Sequence, residues 1–104
     1  MPSAPGFVKS VTGGSKFIAT FIIDDIQFHF SGNLDLPVEE FTCNEASLEY
    51  GDMEQLATRQ NFDGEVGTEE LQLTLSNGPK ITGSFMFPIN SASNISGSGM
   101  WSED

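Results

Sequence analysis

Apolar residues recur at alternate positions in short stretches of this chain, and turn residues separate those stretches. KFIATFII (16–23) puts Phe17, Ala19, Phe21 and Ile23 on one face. Ile18 and Ile22 fall on the other, so this strand is expected to be covered on both sides. Asp24-Asp25 forms a tight turn into IQFHFSG, where Ile26, Phe28 and Phe30 alternate with Gln27, His29 and Ser31. These two runs read as a hairpin.

LQLTL sets Leu71, Leu73 and Leu75 against Gln72 and Thr74. The turn Ser76-Asn77-Gly78-Pro79 follows, because Asn-Gly tolerates the positive φ of tight hairpins. KITGSFMF returns with Ile81, Gly83, Phe85 and Phe87 inward and Thr82, Ser84 and Met86 outward. In the last run, NISGSGMW, the inward set is Ile95, Gly97, Gly99 and Trp101. Two inward glycines there leave room for bulky neighbours, so the run is read as a closing strand shaped by packing.

Other segments are less regular. Residues 1–6 read as a loose N-terminal segment before a first strand, FVKSVT. FDGEVG carries a turn at Asp63-Gly64 or a strand interrupted there. Between 44 and 58 two readings compete. Ala46, Leu48 and Tyr50 alternate as in a strand that turns at Gly51-Asp52. Asn44 as a cap, with Ala46, Tyr50, Met53 and Ala57 at helical spacing, gives one short helix. Two strands are preferred, because Gly51 interrupts the helical pattern. ITGSF, ISGSG and HFSGN share a texture that is assigned to sheet edges and bends, with no repeat of fixed period. The fold expected is all-β, a single antiparallel β-sandwich or small β-barrel of about seven to nine strands over residues 1–104.

Composition narrows the function. The net charge is −11, with fifteen acids against four bases, and thirteen of the acids lie in residues 24–70. Phosphate neutralisation has no basic patch to supply it, so neither nucleic acid nor an anionic membrane is the expected partner. Cys43 is the single cysteine, which argues against a disulfide scaffold. The N-terminus lacks a signal-peptide pattern and no apolar run reaches a membrane span, so a soluble cytoplasmic protein is expected.

Candidate chemistries fail on spacing. Neither Ser96 nor Ser98 sits in G-x-S-x-G, and a Ser–His triad would depend on His29, the sole histidine, on the polar face of a strand. No P-loop occurs. One His and one Cys cannot build a zinc site unaided, and a Cys43–His29 pair lacks local support. Asp24-Asp25, Asn61–Glu65 and Glu69-Glu70 offer oxygens for calcium but match no EF-hand loop. No catalytic residue, metal site or cofactor is assigned.

What remains is an uncharged face carrying Gln72, Thr74, Thr82, Ser84, Met86, Asn94, Ser96 and Ser98. The leading expectation is a non-catalytic binding module for a neutral small molecule or glycan, held on this Ser/Thr face or in a barrel mouth. Trp101, Thr82, Ser84, Ser96 and Ser98 are its binding residues, with Trp101 as a stacking platform. The second is a protein–protein or self-assembly domain using sheet edges or the acidic 24–70 region, and a homo-oligomer is left open. A small hydrolase using the acids or His29 is the weakest.

Overall fold

A computed structural model describes residues 2–11 and 13–103. Eight strands form a closed antiparallel barrel: β1 (Ser3–Ser10), β2 (Lys16–Ile23), β3 (Ile26–Leu34), β4 (Thr42–Glu49), β5 (Arg59–Val66), β6 (Glu70–Leu75), β7 (Lys80–Ser84) and β8 (Ser93–Glu103). Around the ring the order is β1-β2-β3-β8-β5-β6-β7-β4, with β4 closing on β1. The small-barrel expectation is therefore met, and the sandwich alternative is not.

Alternation drives each wall. Phe17, Ala19, Phe21 and Ile23 point inward from β2, Leu71, Leu73 and Leu75 from β6, and Ile95 and Trp101 from β8. A barrel of eight strands has an interior that side chains fill. Here the filling includes an aromatic group around Phe30, whose ring lies 6.1 Å from Phe17, 6.0 Å from Phe62 and 5.0 Å from Trp101. Gly99 is buried beneath it, and an added Cβ there would meet the Phe30 ring, as the packing reading of NISGSGMW requires. At the β2–β3 turn Asp24 and Asp25 both take positive φ, 52° and 64°, the backbone of a type I′ hairpin.

The ring order contains two Greek keys in series, β4-β1-β2-β3 and β8-β5-β6-β7. Each is three hairpin-linked strands plus a fourth that returns beside the first. Backbone bonds repeat between them. Val11 N donates to Lys16 O at 2.9 Å and Gly67 N to Glu70 O at 2.8 Å. Leu34 N donates to Ser15 O, and Phe85 N to Glu69 O, both at 2.8 Å. Val38 N donates to Gly14 O, and Ile89 N to Thr68 O, both at 2.9 Å. These equivalences align FSGNLDLPV (30–38) with ITGSFMFPI (81–89), in which Gly32 matches Gly83 and Pro37 matches Pro88. Gly32 opposes Phe17 in register, as Gly83 opposes Leu71. The shared texture of HFSGN and ITGSF thus marks equivalent strands of a repeated unit, against the reading that denied a repeat. It escapes a fixed-period search because β2 and β6 differ in length and the connection from β1 to β2 is longer than that from β5 to β6.

Several local expectations change. Strand β1 begins at Ser3, so 3–6 is not loose: Ala4 and Gly6 pair with Leu48 and Ala46 of β4. Thr12, placed at the end of that strand by sequence, lies outside the described residues. Asp63-Gly64 makes no turn but sits inside β5. In the disputed segment 42–49 is a strand, and a three-residue 3₁₀ turn, Met53–Gln55, replaces the second strand. Asp52 caps it and Gln55 reaches back to the Asp52 and Gly51 amides, a capping box on too few residues to extend as a helix. Phe87 faces outward at 74% exposure, because β7 ends at Ser84 and the chain leaves the sheet before reaching it.

Candidate functional site

Barrel closure decides which polar residues can act together. Thr82 and Ser84 of β7 are exposed on the outer wall, and Ser96 of β8 is exposed with Ser98 half-buried. Between β7 and β8 stand β6 and β5. The continuous Ser/Thr face expected from sequence is therefore split, with Asp63 and Glu65 of β5 between its parts. Trp101 is corrected outright: it is 5% exposed, packs on Phe30 and offers no stacking surface. Its Nε1 is buried and has no hydrogen-bond partner. The barrel interior is filled by the aromatic group and its aliphatic neighbours, so a ligand in the barrel mouth loses its room. Closure also removes the free sheet edges on which the self-assembly reading relied.

Ser96 and Ser98 do converge with residues that sequence reasoning did not join to them. The connection from β3 to β4 (35–41) passes the start of β8, where Ser96 Oγ donates to Asp35 Oδ2 at 2.8 Å and the Asp35 amide donates to Ser96 O at 2.9 Å. Two clefts meet at this bond. One, of about 210 Å³, is lined by Asp35, Leu36, Pro37, Val38 and Ser93–Ser96. The other, of about 370 Å³, is lined by Asp35, Asn61, Phe62, Asp63, Ser96, Gly97 and Ser98. Asn61 and Asp63 reach it because β5 pairs with β8 in a register that sets Asn61 opposite Ser98 and Asp63 opposite Ser96. No local signal reports that pairing, since the strands are separated by β6 and β7 in sequence. Thr82 and Ser84 line a separate shallow cleft with Glu45, Ser47 and Glu70.

The reactive candidates lie apart. Cys43 is fully buried inside β4, whereas His29 points outward from β3 with Nδ1 2.9 Å from Thr20 Oγ1. Burial pushes the Cys43 thiol up to about 11. Burial therefore holds the thiol in its neutral, poorly nucleophilic form at neutral pH. Among the described residues no three of His, Cys, Asp and Glu gather closely enough to hold a metal ion. No helix among them is long and apolar enough to cross a membrane.

The raised thiol has a consequence for stability. Because the neutral form is favoured in the fold, the contribution is complete below pH 9 and is lost as pH rises from 9.0 towards 11. The shift corresponds to roughly 2–3 kcal/mol. Urea midpoints should therefore fall more steeply between pH 8 and pH 11 for the wild type than for Cys43→Ala. Equal slopes would remove Cys43 as the cause.

The fold and surface define a small closed barrel of two Greek keys with its clefts on the outside. No family model, no curated protein and no solved structure matches the chain.

Proposed function

We propose that this chain is a non-catalytic binding module whose ligand is a neutral hydroxyl-rich molecule, such as a saccharide. It is seated where β5, β8 and the β3–β4 connection meet. The observation that carries this reading is the Asp35–Ser96 bond joining two clefts, the larger of them lined by Asn61, Asp63, Ser96 and Ser98. Carboxylates accept from ligand hydroxyls, the Asn61 amide both donates and accepts, and the serines do either. Leu36, 76% exposed at the rim, offers an apolar contact for the C–H face of a sugar ring. A shallow open site of this kind suits affinities from about 10 μM to millimolar.

Amide NMR shifts recorded during titration with pooled mono- and oligosaccharides test the reading. Binding should shift Asn61, Asp63, Ser96 and Ser98, and Asp63→Asn or Ser96→Ala should weaken it about tenfold. Thr82→Ala, on the separate cleft, should leave it unchanged. Trp101 emission should be blue, resistant to acrylamide and unresponsive to ligand. An absence of shifts at millimolar saccharide, or shifts clustered on β7, would sink the proposal.

A further inference from the structure

The outer surface of the barrel is divided by chemistry. On β4, β7, β6 and β5 the outward cross-strand rows each contain carboxylates: Glu45-Ser84-Glu70, Ser47-Thr82-Gln72-Glu65 and Glu49-Lys80-Thr74-Asp63. On β8, β3, β2 and β1 the corresponding rows read Met100-Ser31-Ile18-Lys9 and Ser102-His29-Thr20-Phe7, followed by Gln27-Ile22. These rows hold no carboxylate. They expose Phe7 by 48%, Ile18 by 43%, Ile22 by 51% and Met100 by 48%. Sequence patterning predicts that Ile18 and Ile22 are covered, and within one chain they are not. Phe7 on β1 stands diagonally between Ile18 and Ile22 of β2, and an exposed apolar cluster of this kind marks an interaction surface.

We propose that the occupant is a second copy of this chain, packed face to face about a two-fold axis that runs across the strands through the row Phe7-Thr20-His29-Ser102. This goes beyond the saccharide reading and does not depend on it. An axis in that position turns each strand end for end, so Phe7 meets Phe7 of the second copy and Ile18 meets its Ile22. Along β2 Lys16, Ile18 and Ile22 are exposed outward, Thr20 between them is buried beneath its neighbours, and Asp24 is exposed in the turn that follows. The same rotation therefore sets Lys16 against Asp24 of the second copy, twice. The wall is self-complementary in both its apolar and its charged positions, as an isologous interface requires.

Net charge favours this wall over the others. Each copy carries −11, so approach through the acidic wall is repulsive, and the carboxylate-free rows offer the approach with least repulsion. Four strands of the closed barrel curve through half its circumference, so about two of them, centred on β1 and β2, meet a second copy. At about 4.8 Å spacing over about five outward rows they give roughly 300 Å² per copy and about 600 Å² in total. That area lies below the range of stable interfaces, so a weak, transient dimer is expected, with a dissociation constant of about 100 μM.

Sedimentation velocity of the full chain from about 1 to 500 μM should show the mass doubling from 11.2 kDa as concentration rises. Ile18→Glu, at an exposed position, should leave the circular dichroism spectrum intact and hold the protein monomeric at every concentration. Lys16→Glu should weaken the dimer at least tenfold, whereas Thr74→Glu on the acidic wall should not weaken it by more than about twofold. A monomer throughout overturns the proposal, whether or not the wall then binds vesicles of phosphatidylcholine and phosphatidylserine. So does a dimer indifferent to Ile18→Glu.

Discussion

Gly97→Ala should destabilise the protein by about 3 kcal/mol or more, and it is expected to be among the most damaging single-methyl additions. Gly97 sits in β8 between Leu34 of β3 and Phe62 of β5. A Cβ at this position would overlap the carbonyl oxygen of Asn33 and stand 3.0 Å from the Phe62 ring. The first obstacle is backbone and cannot rotate away, so relief requires β3 and β8 to separate. That separation opens the barrel along one of its two joints between Greek keys. Domains of this size have about 5–15 kcal/mol in total, so chemical denaturation should show a large loss of midpoint or no folded baseline. Gly51→Ala is the matched control. Its Cβ would meet only the flexible Gln55 side chain, at 3.4 Å, and a change within about 0.5 kcal/mol is expected. Similar midpoints for the two variants would mean that β8 does not pair with β3 in this register.

Phe30→Ala should cost about 4 kcal/mol and lower the melting temperature by about 20 °C. Its fully buried ring is the common neighbour of Phe17, Phe62 and Trp101, so truncation leaves a void bounded by three large rings that cannot all collapse into it. Phe30→Leu should lose about 1–2 kcal/mol, because most of the volume is retained. Trp101 gives an independent readout. Its emission should move to the red in Phe30→Ala, as water gains access to the indole whose partner ring has gone. A small stability loss with unchanged emission would argue against the aromatic group as the centre of the core.

Much of the barrel is written locally. Period-two alternation assigned the inward residues of β2, β6 and β8 and those of β3 apart from Ile26, which is exposed beside the turn, and Asp24-Asp25 and Asn77-Gly78 marked two hairpins through backbone that tolerates positive φ. Where alternation was followed past the end of the sheet it misled, as at Phe87, since period continues in sequence after hydrogen bonding has stopped. The 44–58 segment resisted because Glu, Ala, Leu and Met favour helix, whereas pairing of β4 with both β1 and β7 overrides that local preference. Ser96 and Ser98 were legible as outward polar residues. Their partners Asp35, Asn61 and Asp63 were not, because contact between them depends on which strands become neighbours.

Sequence by itself determined that this is an all-β chain, which side chains face inward over most of its strands, and that the last strand makes room for aromatic rings. Those are properties of dihedral preference and side-chain period, which act over a few residues. Only the tertiary structure decided that β8 enters between β3 and β5 and that β4 closes on β1. That order buries Trp101, divides the serine and threonine face, repeats one Greek key in two halves and leaves Ile18 and Ile22 in the open. Strand order rests on contacts between residues far apart in the chain, and alternation is the same whichever neighbour a strand acquires.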